Sequence, residues 1–137
     1  MKRLTVLAGW LAAFLCSRVQ AQTVHLWANI PFDFQIGKTA MPPGEYLLEH
    51  NPHGMLTMIP ANRKGRAVVA LTQSAPASKR SSVLEFRRYG SLYFLSQFWS
   101  DTGDGRSLGM TSYEREIAAQ LRRDNSVQTA SVTVDAK

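Results

Sequence analysis

Between residues 24 and 36 apolar side chains occupy every even position: Val24, Leu26, Ala28, Ile30, Phe32, Phe34 and Ile36. His25, Asn29, Asp33 and Gln35 fall between them, with Trp27 and Pro31 as exceptions. A period of two is that of a β-strand with one buried face, because successive side chains point to opposite sides of a pleated backbone. Pro31 has no amide hydrogen to give a ladder, so the strand either lies at an edge there or bends into two segments. Met41-Pro42-Pro43-Gly44 then turns the chain, since Pro43 presets its own backbone angle and Gly44 accepts a positive φ.

Three more extended segments are expected at 45–50, 55–59 and 66–73, joined by Asn51-Pro52-His53-Gly54 and by a turn from Pro60 to Gly65. Both connections contain the Pro and Gly that mark hairpins. Residues 74–82 are small and polar and read as a surface loop. A second hairpin follows, 83–88 and 92–99, turned at Tyr89-Gly90-Ser91. Its second strand is apolar on both faces, with Leu92, Phe94 and Phe98 on one and Tyr93, Leu95 and Trp99 on the other. Such a strand must be covered on both sides and is therefore central.

Thr111-Ser112-Tyr113-Glu114 has the spacing of a capping box, in which a hydroxyl and a carboxylate three residues on satisfy backbone donors at a helix start. Tyr113, Ile117 and Leu121 recur at four-residue intervals and give the helix an apolar stripe for the sheet. Glu114 and Glu116 near its start and Arg122 and Arg123 near its end suit the helix dipole. From Asp124 onward the chain is polar, and 124–137 reads as a disordered tail. The expected fold is mainly β: an antiparallel meander barrel or curled sheet of about six to seven strands with one C-terminal helix, an open sandwich being the alternative.

The first 21 residues have a different character. Lys2 and Arg3 precede an uncharged run from Leu4 to Cys16, and Val19-Gln20-Ala21 offers the small or neutral side chains that a signal peptidase reads. Thirteen apolar residues are too few to span a bilayer, which takes about 20. Residues 1–21 are therefore expected to be an export signal, leaving 22–123 as a single β-rich domain in the periplasm or outside the cell. Cys16, the only cysteine, lies within the signal, so the mature domain has no disulfide, thiol nucleophile or thiolate metal site. Leu15 is too bulky for a lipoprotein cleavage site. Loss of Lys2, Arg3 and Arg18 lowers the formal charge from +6 to +3, and basic residues are not interleaved with aromatics along one face. Nucleic acid is thus not an expected partner.

No constellation in the chain meets the demands of an identifiable chemistry. Asp101-Thr102-Gly103 matches the tripeptide of aspartic proteases, but the 36 residues after Asp101 leave no room for the usual flap and strands. The run from Ser100 to Gly105 reads instead as a turn. Asp101 and Asp104 would give calcium too few oxygens. His25, His50 and His53 with Glu49 could hold zinc only if distant segments converged. Arg63-Lys64 with Arg66, Lys79-Arg80 and Arg87-Arg88 are expected to be exposed charges that keep strand edges from aggregating, the alternative being a shared face toward an anionic envelope surface or ligand. No catalytic, cofactor-binding or metal-binding residue is assigned, and no cofactor is expected.

Several segments resemble a family of small, uncharacterised exported bacterial proteins. They are Ile30-Pro31-Phe32-Asp33-Phe34 with Gly37; Met41-Pro42-Pro43-Gly44-Glu45-Tyr46, where the family usually has Leu-Pro-Ala-Gly; and Arg88-Tyr89-Gly90 with Tyr93-Phe94-Leu95-Ser96 and Trp99, followed by the helix start at Ser112. The resemblance implies export and one β-rich domain and brings no activity with it. The expected function is a non-enzymatic binding or interaction module of the cell envelope, with a small apolar ligand or an envelope protein as partner. The alternative is a hydrolase drawing carboxylates from Asp33, Glu45, Glu49 or Asp101 on different strands.

Overall fold

The computed structural model describes residues 22–124 and 130–137; the expected export signal lies outside them. In chain order the elements are β1 (Val24–Ile30), β2 (Phe34–Ile36), β3 (Thr39–Met41), β4 (Gly44–His50), β5 (Met55–Pro60), β6 (Val68–Leu71), β7 (Gln73–Ala75), β8 (Val83–Tyr89), β9 (Leu92–Trp99), β10 (Gly105–Ser107), α1 (Ser112–Arg123) and β11 (Ala130–Asp135). The fold is mainly β, as expected, but its strands form two sheets that do not close into a barrel. The long alternating segment breaks at Pro31 into β1 and β2. Of the strands beyond the six or seven expected, β3, β7 and β10 have three residues each, too few to show a period, and β11 lies in the segment read as a tail.

The first sheet is antiparallel in the order β1-β4-β5-β6. Its register puts Leu26 opposite Leu48 and Leu48 opposite Met58, so the even-numbered residues of three strands share the buried face. The second sheet runs β11-β8-β9-β10-β7, and β2 joins β9 through one parallel pair, Gln35 with Phe94, while β3 pairs with β2. β9 is central as its two apolar faces require. The core lies between the sheets, where Phe34 packs edge-on against Tyr46 at 5.2 Å and Phe86 at 5.6 Å between ring centres, and Phe32 stacks on Tyr93 at 4.0 Å.

Two junctions tie the sheets together. At Thr72 the chain passes from β6 in one sheet to β7 in the other, a strand switching sheets at a corner. The Thr72 amide and hydroxyl both donate to the Gly54 carbonyl, at 2.8 and 3.0 Å. At the other junction the Trp27 and Lys137 main chains exchange two hydrogen bonds of 2.8 Å.

The Lys137 junction corrects the expectation of a disordered tail over 124–137. Residues 125–129 lie outside the described set, but β11 pairs along β8 from Ala130–Arg88 to Asp135–Val83. Val132, Val134 and Ala136 alternate toward the core. Three small apolar residues at period two are a weak signal in the chain and acquire value only because β8 offers a free edge.

The two faces expected for β9 also change. A register shift between Glu85 and Phe86 leaves Ser96 as an extra residue on β9, where its buried hydroxyl donates to the Glu85 carbonyl at 3.0 Å. Such a bulge inverts the side-chain alternation beyond it. Leu95 and Phe98 therefore share the inter-sheet core, whereas Leu92 and Phe94 face α1. The helix begins where the capping pattern puts it, with Thr111 accepting from the Glu114 amide at 3.2 Å. Tyr113, Ile117 and Leu121 pack, partly buried, against Tyr89 and Phe94, while Ala118 is the fully buried contact.

Candidate functional site

Four of the candidate residues singled out from the sequence meet in one cleft of about 590 Å³ between the start of β1, the end of β4 and the turn after β9. His25, His50, Asp101, Asp104 and Arg106 line it, with Phe98 at its base. The alternation of β4 turns His50 inward, so this histidine is 5% exposed rather than a surface residue. Its Nε2 lies 3.0 Å from the Thr72 hydroxyl. That hydroxyl spends its one hydrogen on Gly54, so the imidazole is the donor and neutral His50 carries its proton on Nε2. Burial, and then the Arg106 charge, hold its pKa below the ordinary 6.5. The corner joining the sheets is thus fastened by a histidine in its neutral form.

The acidic side of the cleft is a self-contained turn. The Thr102 hydroxyl donates to Asp104 Oδ2 at 2.8 Å, and the Ser100 Oγ, 2.8 Å from Thr102 Oγ1, accepts from the Asp104 amide at 3.2 Å. Gly103 is required by backbone shape: its φ is +84°, and a Cβ there would lie 2.6 Å from the Ser78 carbonyl. The glycine of Asp101-Thr102-Gly103 therefore seats this turn on the 76–78 segment, and Asp101 is exposed. Arg106 donates to Ser74 at 3.1 Å.

His53 stands apart in the β4–β5 turn, where its amide donates to Asn51. His25 faces Glu49 at 3.6 Å on the outer side of the first sheet. Among the described residues no three His, Cys, Asp or Glu side chains come together as a metal site. The four carboxylates considered for hydrolysis are dispersed: Asp101 lines this cleft, Glu45 lines a separate recess beside the Pro42-Pro43 turn, Glu49 pairs with His25, and Asp33 sits in the β1–β2 connection.

The strongest polar arrangement was not expected from the sequence. Glu114, 3% exposed, receives Arg87 Nε at 2.5 Å, Arg87 Nη2 at 3.0 Å and the Tyr89 hydroxyl at 3.1 Å. The carboxylate of the capping motif thus turns away from the helix start and grips β8. Burial, then Glu114, raises the Tyr89 pKa, and the ion pair keeps Arg87 charged. Arg87 is accordingly not a surface guard, whereas Arg88, Arg63, Lys64, Arg66, Lys79 and Arg80 are exposed as expected. The sequence clue was available in the strand period, which puts Arg87 on the same face as Tyr89. Arg87 Nη2 also reaches the Leu108 carbonyl at 3.5 Å, and the cluster fastens α1 to the sheet.

Comparison with protein-family models, curated proteins and solved structures returns no match.

Proposed function

We propose that the protein is an exported, non-enzymatic interaction module of the cell envelope. The observation that carries this reading is the outer face of the first sheet. Trp27 is 50% exposed, Val69 57% and Leu71 77%, and Met55 stands opposite Leu71 on the same face. Apolar side chains exposed outside a filled core favour a protein partner, since their burial is gained only on association. Support for export comes from the pattern of residues 1–21 and from the resemblance to exported bacterial proteins. No described helix is long and apolar enough to cross a membrane. The aromatic residues that could have lined a ligand cavity are spent on the core, so a protein partner is preferred to a small apolar ligand.

Fractionation of producing cells, N-terminal sequencing and native mass spectrometry of the envelope form test the reading. The expected results are an amino terminus within a few residues of Gln22 and a retained polypeptide partner that Trp27→Lys or Leu71→Lys releases. Cytoplasmic protein retaining Met1 overturns export. A partner-free protein with hydrolytic turnover overturns the interaction role.

A further inference from the structure

Followed from strand to strand, the two sheets make a nearly complete circuit. β6 pairs with β5, β5 with β4 and β4 with β1; β1 meets the end of the chain just beyond β11; β11 pairs with β8, β8 with β9, β9 with β2 and β2 with β3. The circuit stops between β3 and β6. Each of these strands has one described partner, so each offers a free main-chain edge.

The opening between them is hollow. A slot of about 350 Å³ separates 36–39 from Val68–Leu71, with Leu95 and Leu108 at its floor. At Thr39 it meets a recess of about 510 Å³ between 39–46 and 60–66. β6 carries no charge and no proline within Val68–Leu71, the devices by which exposed edges are normally protected from pairing. The walls are basic. Lys38, Lys64 and Arg66 line the two hollows, against Glu45 and a Glu114 already neutralised by Arg87.

We propose that this opening receives an extended segment of a partner polypeptide, added as one strand between β3 and β6. Its alternate side chains are apolar, facing Ala70, Leu95 and Leu108, and those between them are acidic, facing Lys38, Lys64 and Arg66. The free edges of β3 and β6, each with one described partner, leave main-chain groups unpaired along the two hollows, which favours an extended chain over a compact ligand; pairing to them supplies affinity while alternate side chains supply selectivity. The excess of cations selects carboxylates. The inference rests on the interaction-module reading and gives that module a second contact, which uses the main-chain edge of β6, whereas the Trp27 face uses the outward side chains Val69 and Leu71.

The test is selection of 12-residue peptides from a random library displayed on phage, using the full exported domain as target. Enriched peptides are expected to alternate apolar and acidic residues. The most enriched one, added to the protein, should slow amide hydrogen exchange at least about tenfold at Thr39–Met41 and Val68–Leu71, the mark of new main-chain pairing. N-methylation of alternate bonds in that peptide should abolish binding. The triple change Lys38→Glu, Lys64→Glu and Arg66→Glu, all at exposed positions, should weaken binding at least about tenfold with an unchanged far-UV spectrum. Three results overturn the proposal: no enriched sequence, protection confined to other strands, or a β6-mediated dimer in sedimentation that Leu71→Lys dissolves. Protection confined to β1, β4 and β5 leaves the interaction module standing while removing this site.

Discussion

Arg87 on β8 and Glu114 in the first turn of α1 form a two-point ion pair, at 2.5 and 3.0 Å, beneath a helix whose apolar stripe is only partly buried. With Tyr89 donating to the same carboxylate, the pair sets where the helix docks, and the apolar contacts follow from that placement. A buried charge left alone is costly, which makes removal of one partner worse than removal of both.

Arg87→Met should therefore destabilise the domain by about 3 kcal/mol, and the double variant Arg87→Met, Glu114→Leu should recover most of that loss. Denaturant unfolding of the three proteins checks the ordering. Equal losses in the single and double variants would show that the ion pair is not coupled.

Removal of 130–137 should cost at least about 2 kcal/mol, because β11 covers the edge of β8 and partly buries two valines. The sequence alone suggested that deletion of the whole 124–137 segment is nearly neutral. Thermal melts of the truncated protein decide between the two, and an unchanged midpoint would mean that β11 does not hold in solution.

Stability should fall on acidification through the His50 titration. The folded state holds the imidazole neutral, with its pKa below 6.5, while the unfolded chain takes up a proton near 6.5. The contribution is fully present above about pH 6.5 and is lost as pH falls from there through the lower folded pKa. His50→Gln should flatten this part of the curve, measured by urea unfolding between pH 4.5 and 8. An identical slope in both proteins would assign it to other groups.

Asp101→Asn should cost at most about 1 kcal/mol, as for an exposed turn residue, and leave any binding intact. Gly103→Ala should cost more than about 2 kcal/mol, because the new methyl group meets the Ser78 carbonyl at a backbone angle that side chains resist. Comparison of the two melts shows whether the tripeptide is architectural. The reverse ordering would reopen a chemical role for Asp101.

Ile117→Ala should lose about 1 to 2 kcal/mol, half the usual cost for a fully enclosed isoleucine, since Ile117 is partly exposed. Arg123→Ala should lose less than about 0.5 kcal/mol. Chemical denaturation of both variants measures the difference, and an Ile117→Ala protein as stable as the parent would show an undocked helix.

Local chemistry made much of the fold legible. The alternation from Val24 to Ile36, the break at Pro31, the hairpin at Gly90, the central β9 and the helix start at Thr111 each depend on residues within a few positions of one another, and all were readable in advance. Of the candidate cleft, the sequence named His25, His50, Asp101 and Asp104 separately. Their meeting depends on the Thr72 corner, which brings β4 and the turn after β9 together.

The amino-acid sequence by itself determined that this chain forms strands with one buried face, a capped helix and tight turns, because periodicity, hydroxyl caps and glycine act over a few bonds. Tertiary structure alone decided the rest. Ser96 inverted the alternation of β9 only when β8 lay beside it, Val132 and Val134 became core only when that edge was free, and Arg87 found Glu114 across 27 residues. In each case the deciding energy is that of burying a group against a partner distant in the chain, and no local pattern records where that partner will be.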